Sequence, residues 1–363
     1  MALKIYFRTD ASLKIGTGHV MRCLTLAEAL REIGKEVEFV CRDHSGNLID
    51  LISRKNFVVN ELSLLPTYES QTSDYKNKYA TWLGVSEIQD AEQTINVFGA
   101  KQPDWLIVDH YALGKYWQSK IRPHVGKIMV IDDLADRAHD CDLLLNQNYF
   151  IGGESRYNNL LSKTCTKMLG PQYALLRPEF AEVRKHLKPR TGTVHRVFVF
   201  FGGVDSHNVT SMALRALSVS DCDDLQVDVV IGENNQHRSQ ITDLVAKRAR
   251  TKLHVQVENI AELMVQADLA LGAGGINTWE RMCLDLFSMV ITTANNQIPT
   301  IKHLNAHKYV KFLGDHKKVN ESSLGANINE YVNNMSEIKR NKMLIDGLGT
   351  NRVSKALSNS TER

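Results

Sequence analysis

Four residues of the string IGTGHVMR, Gly16, Thr17, Gly18 and His19, lie between an apolar run and a stretch of helical period. A G-x-G at a strand–helix junction lets backbone approach a ligand closely and aims helix N-terminal N–H groups at it. His19 then falls in the first helical turn, where the positive end of the helix dipole disfavours a cation. A neutral imidazole is the form a general base needs. A tight turn with a capping histidine accounts for the same residues, and the glycine pair alone does not separate the two readings.

Asp109, His110 and Tyr111 end the apolar run LIVDHY, and Asp132 and Asp133 end the next one. In open α/β sheets, ligands sit beyond the carboxyl ends of strands. Polar side chains there are exposed, used, or capping the next helix. One of these carboxylates is placed to orient an imidazole, but the sequence does not choose among them. Further on, Gly202 and Gly203 follow a strand pattern, and Gly274 and Gly275 precede a helix containing Trp279 and Glu280. Two glycine-rich junctions suit a pyrophosphate, whose charge peptide N–H groups and a helix N-terminus stabilise without a metal. Glu280, about a turn into its helix, is placed to accept both hydroxyls of a ribose. A solvated glutamate favoured by the dipole is the alternative. Asn295, Asn296 and Gln297 follow a β run, where amides suit sugar hydroxyls or acetamido groups and a turn explains them equally well.

Positioning these residues takes alternating elements. Leu3–Phe7, Val37–Cys41, Trp105–Asp109, Lys127–Ile131 and Asp142–Asn146 read as strands in the first half. Runs such as WLIVD are apolar on both faces, as buried parallel strands are. Gly18–Ile33 reads as a helix with Met21, Leu24, Ala27, Leu30 and Ile33 on one face and Gly34 as its C-cap. After a break at Pro189–Thr193 the strand pattern restarts at Arg196–Phe201, Val227–Ile231, Leu253–Val257, Asp268–Gly272 and Met289–Thr293. The expected architecture is α/β: two doubly wound domains, 1–188 and 194–345, with a cleft between them and a helical tail over 346–363. Arg352–Leu357 in that tail is placed to return to the first domain. Pro66–Thr81, polar and aperiodic, reads as a surface excursion.

Composition narrows the class. With 363 residues, 43% hydrophobic and 23% charged, the chain fits two globular domains. A net charge of +3 argues against a nucleic-acid partner. Six cysteines without a C-x-x-C pair suit free thiols rather than disulfides or zinc. Charge within MALKIYFRTD and the lack of an apolar run of roughly 20 residues point to the cytoplasm, with no membrane insertion. His303 and His307 form the single H-x-x-x-H spacing and read as solvated helix surface, so no metal is expected. A dinucleotide fingerprint is incomplete, because Arg22 stands where G-x-G-x-x-G needs its third glycine.

At these residues the chain resembles the UDP-sugar hydrolases of pseudaminic acid biosynthesis. The likeness is carried in order by RTDASLKIGTGHVMRCLTLAEAL, WLGVSEIQDAEQT, DWLIVDHYAL, VIDDLADRAHDCDLLLNQN, GPQYALLRPEF, FFGGVDSHN, HVQVENIAELMVQADLALGAGGINTWERMCL, NNQ and DGLGTNRVSKAL. The resemblance implies two facing Rossmann-like domains of the GT-B glycosyltransferase type, related to the lipid II-forming N-acetylglucosaminyltransferase. It implies UDP-2,4-diacetamido-2,4,6-trideoxy-β-L-altropyranose as substrate, with water attacking the anomeric carbon with inversion. His19 is then the catalytic base. Gly18, Asp109, Tyr111, Arg177, Asn296 and Gln297 bind substrate, Ile260 lies near the uracil, and Glu280 contacts the ribose. Gly202, Gly203, Gly274 and Gly275 carry the pyrophosphate. Ile276 and Asn277 depart from the Ser and Thr frequent in relatives. No cofactor is implied. A glycosyltransferase on the same fold is the alternative, separated by whether UDP appears without an acceptor; oligomeric state has no sequence signal.

Overall fold

A computed structural model describes residues 2–64, 77–190, 193–219, 224–333 and 345–359. The chain divides into two compact units. One comprises Met1–Asn148, Gly152–Leu175 and Leu348–Arg363, the other Tyr149–Ile151 and Leu176–Gly347.

The first unit contains β1 (Lys4–Thr9), α1 (Gly18–Glu32), β2 (Glu36–Arg42), α2 (Ile49–Arg54), β3 (Val58–Leu62) and α3 (Glu87–Phe98). β4 (Trp105–Asp109), α4 (Lys115–Ile121), β5 (Lys127–Ile131), β6 (Leu143–Asn146) and β7 (Thr166–Leu169) follow. Its parallel sheet has the order β3-β2-β1-β4-β5-β6-β7. All five residues of β4 are buried, so the strand is apolar on both faces because both faces are covered. The chain reverses its winding between β1 and β4, and Thr9 sits beside Asp109 at that switch point. Crevices outside the carboxyl ends of strands open at such points.

The second unit opens with α5 (Pro178–Lys185), β8 (Arg196–Phe200), α6 (Val209–Val219), β9 (Gln226–Ile231), α7 (Arg238–Lys247) and β10 (Thr251–Val255). It continues through α8 (Ile260–Gln266), β11 (Leu269–Ala273), α9 (Ile276–Cys283), β12 (Ser288–Thr292), α10 (Ile298–Ala306), β13 (Lys311–Asp315) and α11 (Glu321–Asn333). Its sheet, also parallel, runs β10-β9-β8-β11-β12-β13, with the switch point between β8 and β11.

The last helix, α12 (Gly349–Asn359), packs in the first unit, where Val353 and Leu357 join the core beneath α1. The indole Nε1–H of Trp105, itself buried in β4, donates to the Leu357 carbonyl at 3.1 Å. The expected return of Arg352–Leu357 is therefore what the chain does. The division between units falls at Leu175–Leu176, upstream of the 189–193 break, because α5 packs against α8 and α9. Arg177 thereby belongs to the second unit.

All ten strands expected from apolar runs are present, shifted by at most two residues at an end. On α1, Leu24, Ala27 and Leu30 are core, whereas Met21 and Ile33 are 38% and 48% exposed and lie off the buried face. Five of the six cysteines are described, and all five are buried and free. Cys222, most of the 66–81 excursion and part of the 189–193 break lie outside the described residues.

Candidate active site

In the first unit, the loop between β1 and α1 is pinned before the helix starts. Ser12 accepts backbone N–H bonds from Lys14 and Ile15 through its hydroxyl, and Gly16 N–H donates to the Ser12 carbonyl at 2.8 Å. Gly16 takes φ +80°, which a side chain would strain. Gly18 is different: a Cβ there would meet nothing within 4 Å. The fold therefore does not require that glycine.

His19, the second residue of α1, is 8% exposed. Its Nδ1 lies 2.6 Å from Asp109 Oδ1. Asp109 is fully buried, and the Arg22 guanidinium and His19 beside it hold its carboxyl well below the usual carboxylate range against the cost of burial. An ionised carboxylate only accepts hydrogen bonds, so His19 Nδ1 carries the proton directed at Asp109. Among the described residues, no protein group bonds to Nε2. Asp109 was expected among substrate contacts; instead its two oxygens are filled by His19 and Arg22, and it orients the imidazole.

Arg22 donates to Asp109 through Nε at 2.6 Å and Nη2 at 2.7 Å, and to Asp133 through Nη1 at 2.8 Å. Tyr111 stacks edge-on to His19 with ring centroids 4.5 Å apart, and its hydroxyl donates to Asp133 at 2.7 Å. Trp82 and Tyr79 complete an aromatic group around Tyr111, at 5.7 and 5.1 Å. His110 turns away. Its Nδ1 accepts from Ala112 N–H at 3.1 Å, its Nε2 faces Asp10 at 3.4 Å, and burial pushes its pKa down to about 3. It is a neutral structural histidine. Beyond it, Asp10 and Asp90 bind Arg8 and Arg42 in a buried network that braces the ends of β1 and β2.

In the second unit, the glycines gather at the β8–β11 switch point. Gly202 adopts φ +101°, and Gly203 packs against Gly232, whose N–H donates to the Gly203 carbonyl at 2.9 Å. The helix that follows, α6, is already capped: Asp205 accepts the N–H groups of Val209 at 3.0 Å and Thr210 at 2.8 Å. α9 has neither a side-chain cap nor an acidic residue in its first turn. α7 and α10 likewise lack a side-chain cap and an acidic first turn, so α9 is one of several open helix N-termini at this end of the sheet.

Glu280 is 8% exposed on α9, and burial pushes its pKa up to about 7. The nearby Arg177 and Arg281 cations work against that shift, and Glu179 adds to it. Arg177 pairs with Glu179 at 3.1 Å and donates to the Glu258 carbonyl at 3.3 Å, two residues before Ile260, the first residue of α8. Arg177, Ile260 and Glu280 thus share one corner. Gln297 behaves as turn chemistry predicts: its Oε1 accepts from Thr293 N–H at 3.0 Å, and its side chain covers Gly274, where a Cβ would come within 2.9 Å. Asn296 lies in the same 3₁₀ turn, half-buried.

Sequence reasoning missed Arg22, Trp82 and Glu179, and named Asp133 only as one of the carboxylates placed to orient an imidazole, whereas it pairs with Arg22 and Tyr111. The signal for Arg22 was its i, i+3 spacing from His19, which puts both on one helix face. His303 and His307, read as solvated surface, are half-buried and exposed respectively, and their rings also contact those of Phe150 and Tyr149. Among the described residues, no group of three or more His, Cys, Asp or Glu is arranged to hold a metal ion, and no helix is long and apolar enough to cross a membrane.

No family model matches the sequence. The chain is 26% identical over 308 residues to the UDP-2,4-diacetamido-2,4,6-trideoxy-beta-L-altropyranose hydrolase of Campylobacter jejuni, covering 85% of this chain and 98% of that protein. It is 23% identical over 363 residues to the spore coat polysaccharide biosynthesis protein SpsG of Bacillus subtilis, covering 98% and 97%. Among solved structures, MurG of Acinetobacter baumannii superposes with a TM-score of 0.65 at 11% identity, covering 99% of this chain and 100% of that one. The fold is the two-domain α/β fold of that protein, as the sequence led one to expect.

Proposed function

We propose that this chain hydrolyses UDP-2,4-diacetamido-2,4,6-trideoxy-β-L-altropyranose to UDP and the free sugar, the hydrolytic step of pseudaminic acid biosynthesis. The observation that carries the reading is His19 itself: Nδ1–H is fixed on ionised Asp109, and Nε2 is left as a base. Similarity to the Campylobacter hydrolase over most of both chains supports this choice of substrate.

His19 Nε2 takes a proton from water as the water oxygen bonds to C1. The bond from C1 to the β-phosphate oxygen breaks, its electron pair leaves with UDP, and C1 inverts. UDP is a good leaving group, so no strong acid is required. The open N–H groups of α9 and the Gly202–Gly203 and Gly274–Gly275 loops stabilise its charge. Glu280 accepts the ribose hydroxyls, Arg177 and the backbone at Ile260 border the nucleotide, and Asn296 and Gln297 flank the sugar. Tyr111, itself buried, packs between Trp82 and the His19 imidazole and backs the sugar from behind the base. Gly18 leaves room for that sugar to approach the backbone.

Proton NMR of the protein with this substrate and no acceptor tests the reading. UDP and free sugar are expected in equal amounts, with one anomer formed first and the rate unchanged by EDTA. UDP release that requires an acceptor makes the protein a transferase. Loss of activity in EDTA, restored by one divalent ion, overturns metal independence.

A further inference from the structure

The Arg22 guanidinium spends three nitrogens on two carboxylates. Nε and Nη2 grip Asp109 side-on, and Nη1 reaches Asp133. Asp133 accepts the Tyr111 hydroxyl on the same oxygen, and its other oxygen accepts the Asn148 amide at 2.8 Å. Every group is buried or nearly so: Arg22 and Asp133 side chains are 7% and 9% exposed, and Asp109 is fully buried. A planar fork makes this bridge, whereas a lysine ammonium offers a single point charge.

The charge balance adds a second argument. One Arg cation and two Asp anions sum to −1 beside the His19 imidazole. Without Arg22 the same imidazole would stand over two uncompensated buried carboxylates, an arrangement of high cost.

We propose that Arg22 is a positioning residue for the hydrolytic base. Through Asp109 it fixes the imidazole with Nε2 free, and through Asp133 it holds the Tyr111 ring against the same imidazole. The inference rests on His19 being the base. The Arg22 guanidinium has no role in nucleotide binding, so its loss slows the chemical step and leaves UDP affinity alone.

The test is a double-mutant cycle of Arg22→Lys with His19→Ala, read as kcat, KM and UDP affinity, together with the His19 ring tautomer by nitrogen NMR. Arg22→Lys keeps the buried charge but not the fork, and is expected to lower kcat by about 10²-fold through misplacement of the base. UDP affinity should stay at the wild-type value. In the His19→Ala background the same substitution should cost nothing further, since residues acting as a unit are not additive. Asp133→Asn, which spares the Asp109 grip, should give a smaller loss in kcat, and it serves as the probe if Arg22→Lys fails to fold. A loss of the same size in both backgrounds, or a parallel loss of UDP affinity, overturns the proposal. If the wild type does not hydrolyse the substrate, the function reading fails, and the tautomer still judges Arg22. An Nδ1–H form that becomes mixed in Arg22→Lys supports it, and an unchanged tautomer refutes it.

Discussion

The two strand-end sites of this molecule are built from different materials. In the first unit, charged and aromatic side chains around His19 satisfy one another almost completely, with Asp109 receiving four bonds, one of them from the Cys23 thiol, and Asp133 three. In the second unit, the corresponding end is mostly backbone: glycines, an uncapped α9 and two buried carboxylates, Glu280 and Asp205, whose pKa values burial raises. A base needs a fixed orientation, which side-chain networks supply. A diphosphate needs close approach of N–H groups, which glycine supplies by having no side chain.

The largest break between the two sites should come from His19→Ala. Removing the base is expected to lower kcat by on the order of 10²–10⁴-fold while calorimetric UDP affinity holds. Equal loss of both would mean that the two ends are not functionally separate.

Glu280 should carry a pH signature absent from the first unit. Burial raises its pKa from 4.5 to about 7, so the folded chain binds this proton more tightly than the unfolded one. Its contribution to stability is present below about pH 4.5 and is lost as pH rises through 7. The shift corresponds to on the order of 3 kcal/mol. Denaturation of Glu280→Gln should accordingly gain on wild type between pH 5 and pH 8. Ribose hydroxyls favour the ionised carboxylate, so UDP binding should weaken by up to about tenfold per unit as pH falls below 7. Glu280→Gln should lose that dependence, with the ionisation of UDP itself cancelling in the comparison.

Two glycines separate room for ligand from room for protein. Gly18→Ala adds a methyl where the protein has nothing within 4 Å, so melting should be unchanged. Turnover should fall on the order of tenfold to a hundredfold, the cost of one misplaced methyl in a fitted site. Gly272→Ala places its Cβ 2.5 Å from the buried Arg281 Nη1 and 2.9 Å from the Phe200 carbonyl of neighbouring β8. About 1–3 kcal/mol of stability should be lost. Reversal of this pattern would sink the assignment of Gly18 to the ligand.

The smallest effect concerns the N-termini of α6 and α9. Asp205→Ala removes the cap of α6 and should cost about 1 kcal/mol in chemical denaturation. UDP affinity should be unaffected, because the diphosphate is assigned to the open amides of α9.

The sequence made the backbone-built end legible and the side-chain-built end only partly so. Glycine strings mark strand–helix junctions directly, and Gly274 and Gly275 stand where α9 begins. Which carboxylate orients His19 was not readable, because Asp109, Asp132 and Asp133 all end strands and only three-dimensional pairing selects Asp109. Arg22 was noted merely as a missing glycine. Among strands, β3, β7 and β13 escaped notice, and all three are edges. An edge strand is covered on fewer sides, so sequences such as VVNEL, TKML and KFLGD lack the continuous apolar run that marked β4.

The most direct test of the account is hydrolysis of the UDP-sugar in ¹⁸O-water, comparing wild type with His19→Ala and reading the released UDP by phosphorus NMR and mass. Attack of His19-activated water at C1 predicts that wild type yields UDP free of label, with the label on the sugar, while His19→Ala yields almost no product. Label in the β-phosphate, or product formed by His19→Ala at the wild-type rate, would contradict it.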